Sequence, residues 1–143
     1  MRILIINGPN LNLLGQRDKL HYGELSLKGI EQSIKEQFPS HGFTFFQSND
    51  EGKIIDEIQS AEGEFDALII NPGGYAHSSV AIRDALEILN ITKIEVHLSN
   101  LAGRENFRQN LITASACDGY ISGFREKSYW AAIYLAEKKI HTK

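Results

Sequence analysis

Three polar, turn-rich segments hold side chains that can move protons or grip a small oxygenated ligand. They are Asn7-Gly8-Pro9-Asn10-Leu11-Asn12, Asn71-Pro72-Gly73-Gly74-Tyr75-Ala76-His77-Ser78-Ser79 and Glu95-Val96-His97-Leu98-Ser99-Asn100. Asn and Gly in a single turn usually serve backbone geometry. Amide, imidazole and hydroxyl groups recurring in all three turns suggest a shared site. His97 follows an apolar run, and Glu95 stands two residues earlier, on the same face of a regular strand. A carboxylate beside an imidazole fixes its tautomer and makes it a competent general acid; the alternative is a hydrogen-bonded structural histidine. His77 and His97 could also ligate a metal, but no cysteine partner or H-E-x-x-H spacing supports that.

A second group lies in the stretch Leu13 to Gly23, which contains Arg17 and Tyr22. It is longer than the ~2–6 residues usual between a strand and a helix. A long, glycine-flanked segment over a ligand rim is a candidate lid. A phenol of ordinary pKa, about 10, is a poor base at neutral pH. A guanidinium within ~4–6 Å favours the phenolate, so Arg17 and Tyr22 together could abstract a carbon-bound proton; otherwise Tyr22-Gly23 is only a turn. Arg104 and Arg108 are spaced i, i+4. If that stretch is helical they share a face and could fork a carboxylate, or they are simply solvated. Asp84 by itself reads as a surface residue.

These groups need a frame. Ile3 to Ile6, Phe43 to Phe46, Ala67 to Ile70, Ile94 to Val96 and Tyr120 to Ser122 read as short strands. Continuous apolar runs bounded by turn residues suit strands covered on both faces. Helical stripes lie between them: Leu27, Ile30 and Ile34 behind the N-cap candidate Ser26; Ile54, Ile55 and Ile58; Ile82, Ala85, Leu86 and Leu89 behind Ser78 or Ser79. Trp130, Ile133 and Tyr134, followed by Lys138 and Lys139, suggest a C-terminal helix with cations at its negative end. Asn100 to Cys117 suggests a short helical turn and then another helix. Such alternation predicts an α/β fold, a flavodoxin-like three-layer sandwich on a five-stranded parallel sheet of order 2-1-3-4-5. Ligands of such folds bind beyond the carboxyl ends of the strands, at the switch point between strands 1 and 3. All three polar turns belong there.

The bulk properties agree. The chain has 143 residues, 42% apolar and 23% charged, which reads as a single catalytic domain spanning 1–143. A net charge of −3 argues against a nucleic-acid or anionic-membrane partner. Cys117 is the only cysteine, so no internal disulfide forms; with no apolar run near ~18 residues, a cytoplasmic location is expected. Neither G-x-G-x-x-G, a Walker A loop nor G-x-S-x-G is present. Asn71 and Asn7-Gly8 stand where a phosphoacceptor domain needs acids, and Gly8-Pro9-Asn10-Leu11 is not a flavin phosphate loop. Acid–base chemistry without a cofactor remains.

The segment Ile6 to Gly15 with Arg17 and Tyr22-Gly23 resembles the N-terminal signature of the type II 3-dehydroquinate dehydratases. Gln47-Ser48-Asn49, Glu51-Gly52, the Asn71 to Ser79 turn, Ala81 to Ala85, Glu95 to Asn100 and Arg104-Glu105 with Phe107-Arg108 follow in family order, across roughly residues 2 to 124. The resemblance implies anti elimination of water from 3-dehydroquinate to 3-dehydroshikimate, through an enolate, in the shikimate pathway. It implies Tyr22 as base, Arg17 as the cation stabilising the phenolate, Asn10 at the enolate oxygen, and His97, oriented by Glu95, as acid. Asn71, His77, Leu98, Ser99 and Arg108 would bind the substrate's hydroxyls and carboxylate. Asp84 would reach the site of a neighbouring subunit in a dodecamer built from trimers. No metal or organic cofactor is implied. The chain departs from the family pattern at Asp18-Lys19, around Ala102-Gly103, at Asn110 to Ala114 and at Phe124 to Lys127, which bears on loop packing and assembly. Two other readings share the residues: a Schiff-base lyase, for which no lysine stands at the three strand ends, and a non-catalytic module that binds a small carboxylate.

Overall fold

Ile3 to Ile6 and Ala67 to Ile70 are completely buried, as central strands covered on both faces must be. The computed structural model describes residues 1–141. In it, β1 (Arg2–Asn7) is followed by α1 (Lys19–Tyr22), α2 (Leu27–Gln37), β2 (Gly42–Gln47), α3 (Glu51–Gln59) and β3 (Ala67–Asn71). Then come α4 (Val80–Ile88), β4 (Thr92–His97), β5 (Gly119–Ser122) and α5 (Lys127–His141). The five strands pair in parallel, in the order β2-β1-β3-β4-β5, so the expected α/β topology holds. No helix among the described residues is long and apolar enough to cross a membrane.

Alternation along the strands sends side chains to two cores. Ile3, Ile5, Ile69, Ile94 and Val96 pack with Ile30 and Ile34 of α2 and with Ala132, Ile133 and Ala136 of α5. Leu4, Ile6, Leu68 and Ile70 pack on the other face with Ile54 and Ile58 of α3 and Ile82 and Leu86 of α4. Each fully buried Ile or Leu contributes roughly 1.5–3 kcal/mol of transfer free energy, so the sheet's centre is its most rigid part. The helices start where their caps allow. Ser26 accepts from the Gly29 amide at 3.1 Å, Asp50 from Lys53 at 3.1 Å and Ser79, not Ser78, from Ile82 at 2.9 Å.

Two expectations change. The buried stripe of α5 is Tyr129, Ala132, Ile133 and Ala136, while Tyr134 is exposed; the small alanines let the helix lie close on the sheet. Between Asn100 and Cys117 there are three separate 3₁₀ turns, Leu101–Gly103, Asn106–Gln109 and Thr113–Ala116, in place of a short helical turn followed by another helix. Extended backbone at Glu105 (φ −55°, ψ 152°) and Asn110 (φ −92°, ψ 103°) interrupts any longer run.

Candidate active site

Asn7, Asn71 and His97 are the last residues of β1, β3 and β4, so their turns open onto one rim. Close approach of the first two turns is enforced by glycine. A Cβ on Gly8 would stand 2.5 Å from the Pro72 carbonyl oxygen, and Gly73 has φ +61° against Pro9. Asn10 adopts a left-handed conformation, φ 70°, while its amide donates to the Asn49 side-chain carbonyl at 3.0 Å.

One cavity occupies this rim, and Asn10, Arg17, Tyr22, Asn71, His77, His97, Leu98, Ser99, Arg104 and Arg108 line it. Tyr22 and His97 thus face a common space. The segment that delivers Tyr22 carries the single-turn helix α1, a feature not expected from its composition. Asp18 caps that helix, accepting from Leu20 at 2.9 Å. The hydrogen bond from His21, followed by that from Leu20, holds the Asp18 carboxyl below its ordinary pKa. Asp18 therefore caps α1, which begins at Lys19.

Two cations meet the Tyr22 phenol in different ways. Arg17 stands over the ring, its Cζ 3.7 Å from the centroid. Arg104 Nη1 donates to the Tyr22 hydroxyl oxygen at 3.1 Å and to Ser99 Oγ at 2.9 Å. Sequence spacing offered Arg17 as the guanidinium beside the Tyr22 phenol, and it stands over the ring; the guanidinium hydrogen-bonded to the phenol oxygen is Arg104. The expected shared helical face of Arg104 and Arg108 is not formed. Arg104 ends one 3₁₀ turn and Arg108 belongs to the next, because Glu105 between them is extended. Glu105 Oε1 nevertheless accepts from Nε of both, at 3.2 Å and 3.0 Å.

Across the cavity, His97 Nε2 donates to Glu95 Oε2 at 2.6 Å. Both side chains are buried, Glu95 completely. The second carboxylate oxygen accepts from the Thr113 hydroxyl, so Glu95 is held at both ends and fixes the imidazole plane. Thr113 lies outside every motif read from the sequence, and nothing in its local spacing would have singled it out. The His77 ring stacks on His97 with centroids 6.2 Å apart and 24° between planes. His77 Nδ1 donates to the Asn110 carbonyl at 3.0 Å, whereas its buried Nε2 has no partner. Burial lowers the His77 pKa below its ordinary value, opposed by the Asn110 carbonyl and reinforced by His97 and Arg108. A neutral ring with Nδ1 protonated leaves Nε2 as a bare acceptor.

Glu95 stands behind His97 and does not itself reach the cavity, and Asp84 is outside it altogether. The Asp84 side chain is 60% exposed on α4, 3.3 Å from Arg83 Nη1. No three His, Cys, Asp or Glu side chains cluster as metal ligands among the described residues. Burial raises the pKa of Cys117 above the ordinary thiol range, which leaves it a poor nucleophile.

Fold and rim together define an acid–base site at the strand-1/strand-3 switch point of a flavodoxin-like α/β domain. Residues 1–137 match the family model described as dehydroquinase class II. The chain is 53% identical over 140 residues to the 3-dehydroquinate dehydratase of Caldicellulosiruptor bescii, covering 96% of this chain and 97% of that one. To the 3-dehydroquinate dehydratase of Thermotoga maritima it is 46% identical over 142 residues, covering 98% and 97%. The crystal structure of the type II dehydroquinase from Butyrivibrio crossotus superposes with a TM-score of 0.93 at 46% identity, covering 96% of this chain and 97% of that chain. The chain belongs to the class II dehydroquinase family.

Proposed function

We propose that this protein is a hydro-lyase that converts 3-dehydroquinate to 3-dehydroshikimate and water, a step of the shikimate pathway towards aromatic amino acids. The observation that carries the reading is a lid phenol under two guanidinium groups and a carboxylate-held imidazole lining the same cavity. Tyr22, as phenolate, takes the proton from the carbon beside the ketone, and the bond's electrons pass into an enolate. Arg104 at the phenol oxygen and Arg17 on the ring favour the charged form of the base. Asn10 donates towards the enolate oxygen, and fixed donors aimed at such charge are often the largest catalytic contribution. The enolate then expels the hydroxyl on the opposite face, His97 gives it a proton, and water leaves as the conjugated enone forms. Glu95 orients His97 and stabilises the imidazolium that precedes this transfer.

Asn71, His77, the Leu98-Ser99 segment and Arg108 bind the substrate's hydroxyls and carboxylate, with His77 Nε2 as acceptor. Every role rests on the protein's own side chains, without metal or organic cofactor. Asp84 is assigned to the site of a neighbouring copy in a dodecamer built from trimers, in keeping with its position outside its own cavity. A single catalytic domain of residues 1–143, in the cytoplasm, completes the reading. The sole cysteine suits a reducing compartment.

The test is the rise in ultraviolet absorbance of the enone when purified protein meets 3-dehydroquinate in the presence of a chelator. The wild-type protein should give that signal, and Tyr22→Phe should abolish it while still binding substrate. Full turnover by Tyr22→Phe removes the phenol from its role, and no signal from the wild type favours a module that only binds.

A further inference from the structure

Asn7 and Asn71 are register partners at the carboxyl ends of neighbouring central strands, and both are nearly completely buried. Their side chains project to the face covered by α5, since Ile5 and Ile69, two residues earlier, pack in that core. Above them lies Tyr129 of α5, a whole phenol with no exposed surface. Its hydroxyl donates to Asn7 Oδ1 and accepts from Asn71 Nδ2, the latter at 3.2 Å. Asn71 Oδ1 in turn accepts from the Gly73 amide at 3.1 Å.

We infer that Tyr129 is a positioning residue that fixes the Asn71 amide as a hydrogen-bond donor to the ligand in the cavity. The direction follows from counting protons. A phenol has one hydrogen to give, and Asn7 Oδ1 takes it. The oxygen lone pair left over can only accept, which selects the NH₂ end of Asn71 and excludes the flipped amide. The Gly73 amide enforces the same choice from the other side, because a flipped Asn71 would set two N–H groups against each other. Asn71 lines the cavity. Its Oδ1 is occupied and one Nδ2 hydrogen is spent on Tyr129, so the second Nδ2 hydrogen is what it can offer a ligand hydroxyl or carboxylate. Burial holds the phenol protonated, raising its pKa well above the ordinary tyrosine value; an ionised Tyr129 could not donate to Asn7. The inference rests on the reading of Asn71 as a substrate-binding residue, and it gives that residue a polarity and a cause.

The test uses the full chain and quinate, a hydroxylated cyclohexane carboxylate whose alcohol in place of the ketone prevents elimination. Titration calorimetry of Tyr129→Phe should give a Kd about tenfold weaker, the equivalent of one ordinary hydrogen bond. KM for 3-dehydroquinate should rise with it, and kcat should stay within about threefold, because uniform binding is what is lost. Adding Tyr129→Phe to Asn71→Ala should weaken binding no further, since the first residue acts through the second. A folded Tyr129→Phe protein with unchanged Kd overturns the inference, as do fully additive effects in the double variant. Asn7→Ala keeps the phenol but removes the acceptor that aims its proton, and should weaken quinate binding in the same direction. Should Tyr129→Phe not fold, unchanged binding by Asn7→Ala overturns the inference alone. Enone formation by the wild type is read separately, so failure of the dehydratase reading leaves the calorimetric comparison decisive for Tyr129.

Discussion

His77 illustrates how a single environment sets what a residue can contribute. With Nδ1 committed to a carbonyl and the ring partly withdrawn from water, protonation of Nε2 is disfavoured. The folded protein therefore binds this proton less readily than the unfolded chain does. Its contribution to stability is fully present above about pH 6.5, the ordinary histidine value, and is lost as pH falls through the lowered folded-state pKa. Calorimetric melts should show wild-type stability declining more steeply than that of His77→Gln as buffers are taken below that value; parallel curves would show that His77 titrates normally. Local spacing brought out two pairs in this candidate site. Glu95 and His97 share a strand face, and Arg17 and Tyr22 share the segment after β1. Arg104 at the phenol oxygen, Thr113 behind Glu95 and Tyr129 behind Asn71 stayed hidden, because each meets its partner only through chain reversals that no local period records.

Secondary elements fix how tightly the rim can close. The turns after β1 and β3 touch backbone to backbone at Gly8 and Pro72, which brings Asn10 and Asn71 to one opening. Gly8→Ala would drive a methyl group into a carbonyl that belongs to a rigid turn, so one of the two turns must move. Overpacking of this kind costs about 1–3 kcal/mol, and chemical denaturation should record a loss of that size together with a raised KM. Retention of both values would show that the two turns separate freely. All five strands and α2 to α5 were legible from their apolar residues. β1, β3 and β4 are buried on both faces and leave a continuous run, whereas the edge strands β2 and β5 are partly exposed and β5 left the weakest pattern. The small one-turn helix α1 and the three 3₁₀ turns were not. Their formation depends on caps and interrupting extended residues such as Asp18, Glu105 and Asn110, which carry little pattern of their own.

At the scale of the whole molecule, α4 presents an outer face that the single chain leaves uncovered. Ile88 is 78% exposed and Val80 58% exposed, and they flank Asp84 at i+4 and i−4 on one side of the helix. The assembly proposed above would bury that face and carry Asp84 to a neighbour's cavity. Ile88→Asp should therefore lower the mass measured by light scattering and reduce turnover in parallel, whereas a monomeric wild-type protein with full activity would contradict the assembly. The parallel sheet was legible from the alternation of strands and helices, because parallel strands demand crossovers and place their carboxyl-end turns on one side, and its order followed as the topology expected for about five strands. The proposed quaternary structure rests on family resemblance, since an exposed isoleucine does not name its partner.

The central claim is a division of labour: Tyr22 removes a carbon-bound proton, and His97 protonates the departing hydroxyl. Nuclear magnetic resonance in deuterated buffer separates the two steps directly, by following the hydrogen beside the ketone of 3-dehydroquinate. His97→Asn should exchange that hydrogen for deuterium while forming little enone, and Tyr22→Phe should do neither. Exchange by Tyr22→Phe at the rate of the intact protein, or no exchange by a folded, substrate-binding His97→Asn protein, would contradict the mechanism.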